Sequence, residues 1–240
     1  MAAVATGGRL VGDLARGAGR LVAVPLGAIA QWRGGKPMHP RGVVFDAVLE
    51  RRGSTPVWGV PWLDAQSSDQ AVVRLSRGAG LPAPLPDLLG LAVRLPGPAP
   101  VDLLLSTTGR GRLTRLVPVP RRDTAAVYSS IMGYRSDAGT LRLAALPEAD
   151  GVSSDPEELA GDVSRHSLRF TLAAARGTGP WQPFGRLVLV EPVAGLDPDV
   201  MFDAVQNPPP GLAPDGPMAR FRAPAYARAR AARTGTTRAR

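Results

Sequence analysis

Short apolar runs with a period of two, broken repeatedly by glycine or proline, constrain this chain more than any other feature. From Gly42 onward, Val43, Phe45, Ala47 and Leu49 alternate with a second face that carries Asp46 and Glu50. Strand side chains point to opposite faces in turn, so this pattern predicts a half-buried strand. Similar runs recur at 71–75, 88–95, 101–105, 113–119, 140–146 and 186–191. The cleanest is Leu168, Phe170, Leu172 and Ala174, set against Arg169 and Thr171. With 28 glycines and 25 prolines available as turns, many short strands in succession predict an antiparallel sandwich or barrel, a β-rich α+β fold.

The remaining segments read differently. Residues 1–35 hold no sustained period and predict a loosely structured arm. The stretch 124–134 predicts one helix inserted among the strands. The acidic, Ser- and Gly-rich stretch 148–162 predicts an exposed loop. The proline-dense stretch 207–217 predicts an extended, wrapping connection without regular structure. Beyond it, 218–233 is rich in Ala and Arg and predicts a helix after Pro224, because proline is tolerated in a first turn. There is no internal repeat. The expected organisation is thus the arm 1–35 and a single domain 36–240, comprising a barrel over 36–195, a wrapping segment over 196–217 and a helix over 218–235. At 240 residues, 44% of them hydrophobic, one core is the expectation.

Cysteine is absent, which excludes disulfides, zinc–thiolate sites, iron–sulfur ligation and thiol nucleophiles together. The formal net charge of +9 invites an anionic partner, but Lys36 is the only lysine and the arginines are spread along the chain, densest after Arg220. Only 5% of residues are aromatic, so the pattern of basic side chains interleaved with stacking rings is missing and no specific nucleic-acid partner is expected. The basic tail adds at most weak, salt-sensitive attraction to polyanions. No apolar stretch reaches the length of roughly 18 residues that a spanning helix needs. The small-residue run ending at Ala30 is a poor signal segment, with Asp13 and several glycines upstream. A cytoplasmic protein is expected.

The chain has two histidines, His39 and His166. Their spacing makes no metal site, and His166 reads as a surface residue. His39 stands in Lys36-Pro37-Met38-His39-Pro40-Arg41-Gly42, and this segment resembles the distal-histidine motif of catalases. Val73-Arg74-Leu75-Ser76 and Pro86-Asp87-Leu88-Leu89-Gly90-Leu91-Ala92-Val93 are similar to the runs that follow in that family, and Asp102-Leu103-Leu104-Leu105 resembles the lead into its distal asparagine. Trp181 to Leu189, Leu196-Asp197-Pro198, Pro210-Gly211-Leu212 and Pro214-Asp215 continue the order. Arg222-Ala223-Pro224-Ala225-Tyr226, with Arg233 and Gly235 beyond, matches the family's proximal pattern. The pieces run from Lys36 to Gly235 in the family's order.

The resemblance implies an antiparallel catalase-like barrel with a C-terminal proximal helix, holding a b-type haem. Tyr226 would be the iron ligand, bound as phenolate, and Arg222 one helical turn away would favour that anion. Lys36, Arg74 and Arg233 would meet the propionates. His39 would move the proton of a bound peroxide, and Ser76 would orient it. The partner would be hydrogen peroxide or an organic hydroperoxide, with room for a small organic co-substrate. Counting from Asp102, Ser106 takes the place of the distal asparagine, and Gly109-Arg110-Gly111-Arg112-Leu113 replaces an aromatic stretch. The expected function is therefore a haem-dependent peroxide-handling oxidoreductase (weak catalase, peroxidase or peroxygenase). The alternative is a non-catalytic binder of haem or another hydrophobic ligand. Without the segments that interlock larger catalases, a monomer or homodimer is expected.

Overall fold

In the computed structural model, which describes residues 39–216, the period-two runs become the staves of one closed sheet. Its strands are β1 (Arg41–Arg52), β2 (Gln66–Arg77), β3 (Leu89–Leu95), β4 (Val101–Thr107), β5 (Tyr128–Ser129), β6 (Gly133–Ser136), β7 (Gly139–Pro147), β8 (Arg169–Arg176), β9 (Gln182–Pro192) and β10 (Ala213–Asp215). All pairings between these strands are antiparallel. Strands β1-β2-β3-β4-β5-β7-β8-β9 follow one another around the ring and β9 returns to β1, closing an eight-stranded barrel. β6 shares the β7 edge with β5, and β10 extends the sheet from β6.

Alternation decides what each side chain does. Val43, Phe45, Ala47 and Leu49 of β1, Val73 and Leu75 of β2, Leu91 and Val93 of β3 and Leu103 and Leu105 of β4 are buried in one core with Leu143, Phe170, Leu172 and Leu187. Tyr128 and Phe170 meet edge to face inside it, ring centroids 5.8 Å apart. The intervening residues of β1–β4 therefore face outward, in registered rows. One row is Gly42, Ser76, Gly90, Ser106 and Ser129, the next Val44, Arg74, Ala92 and Leu104, and the third Asp46, Val72, Arg94 and Asp102.

Four sequence expectations are corrected. The stretch 113–119 is not a strand: it holds a 3-10 turn, Thr114–Leu116. Thr114 Oγ1 accepts from the Gly111 N–H at 2.9 Å, and Pro118 and Pro120 have no N–H to give a ladder. The stretch 124–134 is not a helix. It supplies β5 and the start of β6, because Tyr128 and Ser129 bridge β4 to β7 and so complete the ring. The stretch 148–162 is not all loop. It leads into the helix α2 (Pro156–Arg165), which follows the short α1 (Pro61–Asp64). Asp155 caps α2 by accepting from the Glu157 and Glu158 N–H groups, proline opens it, and Leu159, Ala160 and Val163 are buried. In the stretch expected to be irregular, 213–215 forms the strand β10. The arm 1–35 and the expected C-terminal helix lie outside the described residues.

The chain from Val193 onward crosses the outer surface. Asp102, fully buried on β4, holds it there: its carboxylate accepts from Arg94 Nε and Nη2 at 2.8 and 2.6 Å, from the Asp203 N–H at 2.8 Å and from Asn207 Nδ2 at 2.7 Å. The Asp102 N–H donates to the Asn207 carbonyl at 2.7 Å. Asp102 is fully buried while the Arg94 side chain is 24% exposed, so Asp102→Ala should lower the unfolding free energy by about 2–3 kcal/mol, chiefly through the donors it leaves unpaired. Urea denaturation followed by circular dichroism measures this, and a loss below about 1 kcal/mol would contradict the clasp.

Candidate functional site

The row of small residues on the outer face is where chemistry gathers. His39 precedes β1 with φ +58, a conformation that costs a non-glycine residue about 1 kcal/mol or more. Three contacts over-determine it. Its N–H donates to the Gly78 carbonyl at 2.9 Å. Its carbonyl accepts from Arg74 Nη2 at 3.0 Å. Its ring Nδ1 lies 2.9 Å from Ser76 Oγ. The imidazole thus lies over the sheet at the point where Gly90 presents no side chain. A Cβ at position 90 would stand 2.6 Å from His39 Cε1 and 3.0 Å from Ser76 Oγ.

Ser76 Oγ is also 3.5 Å from the Gly90 carbonyl. The arrangement that serves both contacts has the hydroxyl proton directed at that carbonyl, weakly at this length, while its oxygen accepts from Nδ1–H. In that tautomer Nε2 is the ring's acceptor nitrogen. Behind the ring, buried Asp87 accepts from the Ala79 and Leu81 N–H groups at 2.9 and 3.0 Å and faces Arg77 at 3.9 Å. This fixes the turn that carries Gly78.

Arg74 is the second centre. Its guanidinium crosses β1 where Gly42 leaves room; a Cβ there would fall 2.9 Å from Cζ. Nε and Nη2 form a bidentate pair with Asp197, at 2.7 and 2.8 Å. Arg74 is 8% exposed, and the Asp197 side chain 25%. The strand-leaving turn that carries Asp197 is tied to the same strand, with the Val44 N–H donating to Leu196 O at 2.6 Å and Val193 N–H donating to Val44 O at 2.9 Å.

Of the residues singled out in the sequence, His39, Arg74 and Ser76 therefore come together. Ser106 lies on the same row with Gly90 between it and Ser76, two strand spacings or about 10 Å away. Lys36, Arg222, Tyr226 and Arg233 lie outside the described residues. His166 is exposed at the C-terminal end of α2. Asp197 and the two space-making glycines carried no assigned role in the sequence. No periodicity signals Asp197, because it is 123 residues from Arg74. Among the described residues no group of three or more His, Asp or Glu side chains is arranged to hold a metal ion.

A flat apolar ring with carboxylates at its edge needs an apolar floor and a cation beside it. Val72, Ala92 and Leu104, half-buried on the outer rows, supply such a floor, with Arg74 among them and His39 at one end. The described half of the site fits a haem in that respect, while the Arg74 fork is already engaged by a carboxylate of the chain itself.

No family model matches the sequence, and no curated protein matches it. Solved structures do. A fungal catalase superposes with TM-score 0.54 at 13% identity, covering 78% of this chain and 57% of that one. Catalase A from Saccharomyces cerevisiae superposes with TM-score 0.60 at 10% identity, covering 95% of this chain and 64% of that one. The chain thus spans about three-fifths of the length of these catalases, and its fold is catalase-like.

The tolerance of the site for bulk can be tested at its floor. Gly90→Ala should displace the His39 ring rather than unfold the barrel, since the first clash is with the end of a side chain. The expected result is a changed His39 Nδ1 resonance in ¹⁵N NMR, an unchanged His166, and a stability loss under about 2 kcal/mol. An unaltered His39 signal would show that the ring does not rest on Gly90.

Proposed function

We propose that the chain is a haem-binding, peroxide-handling oxidoreductase on a shortened catalase-like barrel, with Tyr226 as the iron ligand. The observation that carries this reading is the His39 imidazole, held in a left-handed backbone conformation against a bare glycine and oriented by Ser76. A strained, over-determined histidine of this kind suits proton transfer better than packing. A bound haem would supply an iron centre able to take up and reduce peroxide.

In this reading the chain's residues divide the work. His39 Nε2 would take the proton from the inner peroxide oxygen and deliver it to the outer one, which then leaves as water. Ser76 keeps Nδ1 protonated and so keeps Nε2 basic. Ser106 offers a hydroxyl where an amide stands in the catalase motif, a weaker and shorter-reaching donor. Arg74 and, from the sequence resemblance, Lys36 and Arg233 face the propionates, and Arg222 favours the phenolate of Tyr226. The other two tyrosines support the choice of Tyr226. Tyr128 and Tyr134 are both buried in the core; the Tyr128 hydroxyl donates to Thr124 O at 2.8 Å, and burial, with Asp123 nearby, pushes its pKa far up.

A second reading, a non-catalytic haem or hydrophobic-ligand carrier, is favoured by one contact and one replacement. Asp197 occupies the Arg74 fork, and the distal amide is replaced by Ser106.

Titration of the full chain with hemin should give a Soret band saturating at one haem per chain. Tyr226→Ala should abolish that saturation, and hemin binding that survives it would remove Tyr226 from the role. His39→Ala should keep hemin and lower peroxide turnover by roughly 10²–10⁴-fold. Peroxide consumption by the loaded wild-type chain no faster than that of free hemin would instead decide for the carrier.

A further inference from the structure

Among the described residues, the connection between β4 and β5 is where exposed large aliphatic side chains fall closest together along the chain. Leu113, Leu116 and Val117 are 70%, 39% and 54% exposed, and Pro118 and Pro120 are exposed with them. Scattered apolar residues on a surface are ordinary, but a cluster on one turn marks a contact surface. Arg110, Arg112 and Arg122 are exposed around it, and no acidic residue occurs between Asp102 and Asp123. The central arginine is turned the other way. Arg115 is 1% exposed, its Nη2 donates to Gly179 O at 2.8 Å, and its guanidinium lies 4.1 Å from the Trp181 ring centroid. The turn therefore has an aliphatic crown, a cationic base, and an anchor beneath.

We propose that this turn is a docking element for a membrane surface rich in anionic phospholipid. Leu113, Leu116 and Val117 enter the acyl boundary, and Arg110, Arg112 and Arg122 meet the headgroup phosphates. Several backbone donors behind the crown are already satisfied within the protein. The N–H groups of Arg115, Leu116 and Val117 donate to Gly111, Leu113 and Thr114, that of Val119 donates to Thr107, and Pro118 and Pro120 have none. A protein partner fits less well. The segment 109–122 carries no aromatic anchor, and a 3-10 turn offers no strand edge for pairing. Nothing in this inference depends on haem.

Sedimentation of the full chain with vesicles tests it, comparing phosphatidylcholine alone with phosphatidylcholine and phosphatidylglycerol at about three to one, in about 0.1 M salt. Binding to the anionic vesicles only is expected. Leu113→Glu combined with Val117→Glu should weaken that binding by roughly a hundredfold, with the melting temperature held because both positions are exposed. The chain lacks cysteine, so Leu113→Cys carrying an environment-sensitive dye gives a second measurement, a blue shift on adding anionic vesicles that a dye at Glu157→Cys does not show. Absence of binding, equal binding to both vesicle types, a double variant that binds like the wild type (which would assign binding to the arginine-rich 220–240), or a dye at 113 that stays in water would each overturn the proposal.

Discussion

Closure of the sheet is the constraint from which the rest follows. When β9 pairs with β1, a ring of eight strands has one inside, and alternation sends every second side chain into it. The inside is filled with Val, Leu, Ala, Phe and Tyr, leaving little room there for a ligand. The outer face is what remains for a ligand, and there the same alternation lines up Ser76, Gly90 and Ser106 in one row and Arg74 in the next. Placing a side chain on this face requires only that it be even where the core is odd.

On that face, charge replaces hydrophobicity as the organising force. Asp102 gathers Arg94, Asn207 and the Asp203 backbone, and Asp197 grips Arg74. Each pair joins residues of the barrel to the chain that leaves β9. Two carboxylates thus hold a segment that has little regular structure of its own. Arg74 then links this segment to His39 through its carbonyl. The histidine and the wrapping segment are coupled mechanically, and anything that competes for the Arg74 fork acts on both.

Much of this was legible along the chain. The strands from 43, 71, 88, 101, 140, 168 and 186 are read correctly because their alternation is strong and each is bounded by turn residues. His39 and Ser76 were singled out from their motifs, and the structure brings them to 2.9 Å. The helix α2 was also legible in principle: Asp155-Pro156-Glu157-Glu158 is a helix start signal, outweighed in the reading by the Ser and Gly before it. Position 115 was not legible. Alternation puts Leu113, Arg115 and Val117 on one face, whereas the structure exposes the two aliphatic residues and buries the arginine, because Gly179 O and the Trp181 face hold the guanidinium inside.

The sequence by itself determined that this chain is β-rich and antiparallel, a sandwich or a barrel, and which face of its clearest strands is apolar, because both depend on local periodicity. It also nominated the histidine and the tyrosine, through motifs that resemble those of catalases in order. Only the tertiary structure decided that Tyr128 and Ser129 are a stave of the ring rather than part of a helix, that Gly42 and Gly90 make room for Arg74 and His39, and that Asp197 holds Arg74. Those contacts join residues far apart in the chain. Their energy exists only once the sheet has closed, and no local pattern can record it.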